Sequence, residues 1–318
     1  MKLIQQQLII DEQTSGLRID QALCQFLPEY SRSKIQDWIK QGFIKLNETM
    51  PRPKLKVYVG DVLQLDIPPT TKVYDSPEQI EFGMVYQDED VFVIDKPAGL
   101  VVHPAAGHAA GTLLNGLLNI DPDLQQLPRA GIVHRLDKDT SGIMVVARNL
   151  TAHTRLVDAL QRRDVKREYV AIAQGVITAG RSIDQPIARH PVDRKRMAVR
   201  EDGKPALTHF SVREKYRAHS LIDVQLETGR THQIRVHLAY LRHPLLGDPV
   251  YGGRLAIPKG ISTQLEQQIR GFRRQALHAR RLSFIHPASG EAVSFKAALP
   301  DDMTGMIDTL QKDVRHSA

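Results

Sequence analysis

Arg129-Ala-Gly-Ile-Val-His-Arg-Leu-Asp-Lys-Asp-Thr-Ser-Gly-Ile-Met-Val-Val-Ala147 sets an apolar pair, Ile132 and Val133, against the polar run His134 to Gly142. A second apolar run, Ile143 to Ala147, follows at once. Two short hydrophobic runs separated by charged and turn-forming residues predict strand, exposed loop, strand. The loop holds Asp137 and Asp139 among His134, Arg135 and Lys138. Charge knots of this kind commonly do no more than keep a hairpin solvated. Loops carried by a rigid sheet are also where chemistry is usually placed. The surrounding chain decides between these readings.

Charge is concentrated around the knot. The whole chain carries a formal +7 with a pI near 9.4. Residues 129–217 contain 19 Lys and Arg against 10 Asp and Glu, which leaves the remainder slightly acidic. A basic block centred on the knot favours a polyanionic partner. At 318 residues, 42% hydrophobic and 25% charged, the chain has the composition of a soluble globular protein with two or three domains. Cys24 is the only cysteine, so no disulfide forms within the chain and a thiolate metal site is not expected. No apolar run reaches the length of a membrane span, and Met1 to Gln7 lacks the apolar core of a secretory signal. These features predict a cytoplasmic protein.

Upstream, a short strand around Leu8-Ile9-Ile10 precedes a helix with Ile19, Leu23, Phe26 and Leu27 on one side. A second helix runs from an N-cap at Ser31 to Gly42, with Ser33 and Gln36 fitting a capping box. It turns Ile35, Trp38 and Ile39 inward and leaves Arg32, Lys34 and Lys40 basic on the other side. Phe43 to Leu46, Lys54 to Val59 and Val62 to Ile67 predict strands, with turns at Asn47 and Gly60-Asp61. Leu17 to Asp20, Ser31 to Ser33, Gly42 to Asn47 and Gly60-Asp61 together resemble the S4 RNA-binding domain. That resemblance implies a small α/β S4 domain over 15–68 that grips structured RNA, with Arg32, Lys34 and Lys40 as contacts. Pro68 to Pro77, proline-marked and polar, predicts a linker over 69–79.

Residues 80–318 predict one larger domain. Strands are expected at Val91 to Ile94, Glu168 to Ala173, Ala206 to Val212, Leu221 to Leu226, Leu277 to His286 and Ala292 to Ala297. Helices are expected at Thr112 to Ile120, from Leu150 to Arg163 with Leu150, Leu156, Val157 and Leu160 inward, after Gly229, and at the C-terminus. Strands in hairpin order with scattered helices indicate an α+β domain built on a mostly antiparallel mixed sheet.

The chain has no Gly-x-x-x-x-Gly-Lys-[Ser/Thr] loop, no Gly-x-Gly-x-x-Gly turn and no His-Glu-x-x-His. His103 and His108 flank a turn, but neither a cysteine nor a spaced carboxylate joins them, so no metal site is expected. Ser141 lacks a nucleophile-elbow context. What remains is a carboxylate in a basic setting, able to act as nucleophile, base or partner of an oxocarbenium-like centre. Asp137 and Asp139 also permit the paired carboxylates of glycoside hydrolysis, with a salt-bridged structural part for Asp139 as the alternative.

Gly131 to Gly142 resembles the signature of the RluA family of pseudouridine synthases. Lys96-Pro97 to His103-Pro104, Arg167-Glu-Tyr169, Gly229 to His237 and Leu277-His-Ala279 resemble that family's other motifs, in its order. Asp95 stands where the family more often has Asn, and 252–276 match loosely. The resemblance implies an RNA-modifying isomerase that turns uridine into pseudouridine with no cofactor. Asp137 would be the essential aspartate, Arg235 its pairing partner, and Tyr169 the ring against the uracil and a candidate acceptor of its C5 proton. Arg135 would enter the stack where the nucleotide has left, with His134 beside it on the RNA. Arg189-His-Pro191, Arg196-Met-Ala198 and Gly203 to Ala206 resemble the branch acting on large-subunit rRNA. They imply uridines of the helix 69 stem-loop in 23S rRNA, free, in the large ribosomal subunit or in its precursor. A monomer is expected. The rivals are an RNA-binding assembly factor without turnover and a nucleoside or glycoside hydrolase.

Overall fold

The computed structural model describes residues 4–27, 32–67, 76–104, 110–193 and 195–315. Two compact units divide the chain, Met1–Tyr74 and Asp75–Ala318. Among the described residues no helix is long and apolar enough to cross a membrane.

The smaller unit places β1 (Ile4–Ile9), α1 (Ile19–Phe26), α2 (Arg32–Lys40), β2 (Ile44–Leu46) and β3 (Val62–Ile67) in chain order. Its antiparallel sheet has the order β1-β3-β2. Leu63, Leu65 and Ile67, alternate residues of β3, share a core with Ile19, Leu23, Ile35, Trp38 and Ile39. One expectation changes here. Lys54 to Val59 is not a strand, because its backbone bonds go to the chain before α1 (Val57 N–H to Leu17, Ile19 N–H to Leu55), leaving one bridge, Arg18 to Lys56. The Gln36 amide donates to Asp20, and the capping box expected with Ser33 falls on a side chain outside the described residues. Ser31, the side chains of Ser33 and Lys34, and most of the proline-marked linker lie outside the described residues.

The larger unit contains β4 (Gly83–Gln87), β5 (Val91–Lys96), α3 (Leu113–Ile120), β6 (Ser141–Ala147), α4 (Leu150–Arg162), β7 (Lys166–Gln174), β8 (Arg181–Asp184), β9 (Ile187–Arg189) and β10 (Met197–Val199). It continues with β11 (Leu207–Lys215), β12 (His219–Leu226), α5 (Gln233–Tyr240), α6 (Thr263–Gly271), β13 (Leu277–Ile285), β14 (Ala292–Lys296) and α7 (Asp301–Arg315). The main sheet has the order β4-β5-β6-β13-β7-β12-β11-β8, with β14 on β13 and β9 and β10 paired apart. Pairings are antiparallel except where β13 starts alongside β6. This is the α+β mixed sheet expected from the strand order.

Alternation along β7 divides the core. Val170 and Ile172 pack with Leu265, Ile269, Met303 and Met306 of α6 and α7. Tyr169 and Ala171 face the opposite side, in the cluster that holds β5, β6, α3 and α4. Burial on both faces explains why β6 reads as a continuous apolar run.

Ile132-Val133, expected as the first strand of a hairpin, is not one. Pro128–Gly131 forms a tight 3-10 turn with Arg129 and Ala130 left-handed, and Ile132 makes a single bridge to Val146. β6 meets β13 only at Ser141 and Gly142. Farther along that strand Ile132 pairs with Val146, and the His134 ring accepts the Val145 N–H at 3.1 Å. Leu150 is also corrected: it opens α4 beside the Asn149 cap and is 62% exposed, while Leu156 is buried.

Candidate active site

The loop from Val133 to Thr140 is held from two sides. Lys96, fully buried at the end of β5, donates its three ammonium protons to the carbonyls of Pro97, Leu100 and Lys138 at 2.8–2.9 Å. On the other side Gln275 donates to Thr140 Oγ1 at 3.0 Å, and Ser141 Oγ meets His278 Nδ1 at 3.0 Å. Gly142 has φ +115°, and a Cβ there would sit 2.3 Å from the Ala279 carbonyl, so the crossing of β6 and β13 requires glycine. Asp137 therefore stands on a short, doubly anchored loop.

Its partner arrives from α5. Gln233 to Leu238 are all buried, so the Arg235 guanidinium lies inside the protein and needs compensating charge. Arg235 Nη1 donates to Asp137 Oδ2 at 2.9 Å, while Nε and Nη2 form a two-pronged pair with Asp248 at 2.7 and 2.9 Å. Asp248 also accepts the backbone N–H groups of Val250 and Tyr251. Burial would raise the Asp248 pKa, but the hydrogen bonds and charge of Arg235 outweigh it and hold the carboxyl below its ordinary value. Arg235 also sits over the Tyr251 ring, 5.1 Å from its centroid.

The second oxygen of Asp137 is left open. Oδ1 has no hydrogen bond among the described residues, and His232 Nε2 stands 3.9 Å from it. Burial lowers the His232 pKa, so the ring is neutral, and its Nδ1 is occupied by the Tyr251 hydroxyl at 2.8 Å.

Asp137, Arg235, Tyr169, Arg135 and His134 all line one cleft of about 550 Å³ within the larger unit. Tyr169 is 6% exposed, and burial raises its pKa, which keeps the phenol neutral. Arg135 stands exposed at the rim, whereas burial pushes the His134 ring down to about 3. His134 thus supplies an acceptor to β6 and no charge to a phosphate. Asp139 makes no ion pair among the described residues, contrary to the salt-bridged support expected of it; its carbonyl accepts Arg274 at 3.3 Å.

In the smaller unit Arg32 is drawn to Asp20, as is Arg18, both at 2.9 Å. Lys40 is solvated and 3.8 Å from Asp37. Asp248, His232 and Tyr251 were missed in the sequence; Gly247-Asp-Pro-Val-Tyr251 has a turn signature but nothing that points to Arg235.

The sequence profile of RNA pseudouridylate synthase matches residues 90–240, and that of the S4 domain matches residues 17–63. The chain belongs to the RNA pseudouridylate synthase family, and it is an isomerase with an added S4 domain. It is 51% identical over 299 residues to the ribosomal large subunit pseudouridine synthase D of Vibrio parahaemolyticus, covering 94% of this chain and 92% of that one. The protein of the same name from Xanthomonas campestris is 48% identical over 312 residues, covering 98% and 94%. Among solved structures, human RNA pseudouridylate synthase domain containing 4 superposes with a TM-score of 0.57 at 28% identity, covering 72% of this chain and 93% of that one.

Proposed function

We propose that this enzyme converts uridines to pseudouridine in 23S rRNA of the large ribosomal subunit or its precursor, at the helix 69 stem-loop, acting as a cytoplasmic monomer. The names of its near relatives support the large-subunit substrate. The observation that carries the mechanism is the half-open carboxylate of Asp137, which lines the cleft with Oδ2 fixed by Arg235 and Oδ1 without a hydrogen bond among the described residues.

Asp137 works on the ribose, either by attacking C1′ or by taking a ribose proton, and both routes begin from the open oxygen. The bond from C1′ to uracil N1 breaks, the base turns, and C5 bonds to C1′ in its place. No redox or nucleotide cofactor enters. Arg235, clamped by Asp248, fixes the carboxylate; a group held this way loses little entropy in reaching its reactive geometry. Tyr169 supplies a ring face for the uracil. Its raised pKa makes it a neutral phenol, so it could take the C5 proton only after losing its own. Arg135 fills the stack vacated by the extruded nucleotide. The basic block and the S4 unit contact phosphates, which makes affinity fall steeply with salt.

Incubating the protein with large-subunit rRNA and mapping pseudouridine tests the proposal. Pseudouridine confined to the helix 69 loop is expected. Modification elsewhere would overturn the site, and release of free uracil would point to a hydrolase.

A further inference from the structure

Alternation along β7 puts Arg167 and Tyr169 side by side in the lining of the cleft, with Glu168 on the opposite face. Arg167 is 8% exposed and has no carboxylate partner among the described residues. Its Nη2 donates to the Glu227 carbonyl at 3.3 Å, and its Nε is buried without a hydrogen bond. Nη1 fills the space beside Gly229, where a Cβ would lie 2.8 Å from it. After burial itself, Arg167 is the main influence on both His134 and Tyr169, which places its charge next to both rings. A buried cation without a counter-charge is costly. Arg235 is balanced by two carboxylates; Arg167, deep in the same cleft, is balanced by none.

We propose that Arg167 is a catalytic residue that stabilises the uracil anion formed when the glycosidic bond breaks. The inference rests on the reading of this cleft as the synthase site. When the C1′–N1 bond breaks, its electron pair leaves with N1 and spreads over O2 and O4. The ribose is completed either by a bond from C1′ to the Asp137 carboxylate or by the pair of a C2′–H bond whose proton passes to Asp137. Rejoining uses a π pair of the base to make C1′–C5, either as the C1′–Asp137 bond breaks and its pair returns to the carboxylate, or as the C1′=C2′ pair takes the proton back from Asp137 at C2′; C5 then loses its proton and N1 gains one. Atoms and charge balance with no co-reactant. On either route the base is an anion only between cleavage and rejoining. A guanidinium unpaired in the resting enzyme finds its counter-ion in that interval, which is the differential stabilisation catalysis requires.

The test compares single-turnover rates on a transcript of the rRNA stem-loop carrying uridine or 5-fluorouridine at the target position. Fluorine makes the departing base a weaker base that needs less help. For Arg167→Gln we expect uridine conversion to fall about 100-fold or more, as for loss of one oxyanion donor, with RNA affinity unchanged. The loss on 5-fluorouridine, followed as disappearance of that nucleoside, should be at least 10-fold smaller, and Arg167→Lys should recover part of the rate. Equal losses on both bases, or a loss of RNA affinity instead of rate, would overturn the inference. Should Arg167→Gln fail to fold, Arg167→Lys measured on both bases decides in the same way. A wild-type enzyme that left both transcripts unchanged would overturn the reading of the cleft itself, and the inference with it.

Discussion

Each unit of this protein builds a cluster of aspartate and arginine side chains, and the two clusters differ in which group is closed off. In the smaller unit the Asp20 carboxylate is fully buried and saturated: Arg18 and Arg32 donate to it, and so does Gln36. In the larger unit the polarity is reversed. There the arginine is the buried, saturated group, fixed by Asp248, and the second aspartate, Asp137, is held by one oxygen with 17% of its side chain exposed to the cleft. A closed cluster stabilises a fold. A cluster left open on the carboxylate side holds a reactive group still while leaving it something to do.

The sharpest way to break that comparison is to remove the clamp. Arg235→Ala should lower turnover about 100- to 1,000-fold, since a fixed charge at the reacting centre is lost, while RNA affinity stays within about threefold, because the buried arginine is not a phosphate contact. An equal loss of affinity in a binding titration would make Arg235 a binding residue. Asp20→Ala should do the opposite. It should cost the smaller unit about 1–3 kcal/mol in thermal or denaturant melts, at the low end because Arg18 and Arg32 are partly solvated and can rehydrate. Turnover at saturating RNA should be little changed.

Acid should separate the units by a smaller effect. The smaller unit contains no histidine, and Asp20, lowered because its hydrogen bonds from Arg32, Gln36 and Arg18 outweigh burial, keeps its contribution down to its ordinary value of 3.8. His134 is held at about 3 by burial, below its ordinary 6.5. Below pH 6.5 the unfolded chain takes up a proton that the folded ring refuses, so this contribution is intact above 6.5 and is lost as pH falls toward 3. The larger unit should weaken by up to about 1.4 kcal/mol per pH unit for this group. His134→Gln should flatten that part of the melting curve; an unchanged slope would remove His134 from the account.

The sequence made the Asp137 loop legible because its residues are contiguous and their order is itself the signal. The strand expected at Ile132-Val133 failed because periodicity does not see that Gly131 packs against the Ala147 carbonyl and turns the chain. Lys54 to Val59 alternates like a strand, yet it pairs with the loop before α1 over too short a length. Arg235 lies 98 residues from Asp137 and came from family resemblance, not from pattern. Asp248 came from neither, since a Gly-Asp-Pro turn looks the same whether or not an arginine reaches it. Arg32 came as an RNA contact from the S4 resemblance, and its bond to Asp20 is one that a helix wheel does not show.

The most direct test of the open carboxylate is Asp137→Asn, a change of one atom that keeps the shape of the side chain. Single-turnover pseudouridine formation on the large-subunit stem-loop should fall to background while RNA affinity is retained. Pseudouridine formed at the wild-type rate by Asp137→Asn would contradict the account.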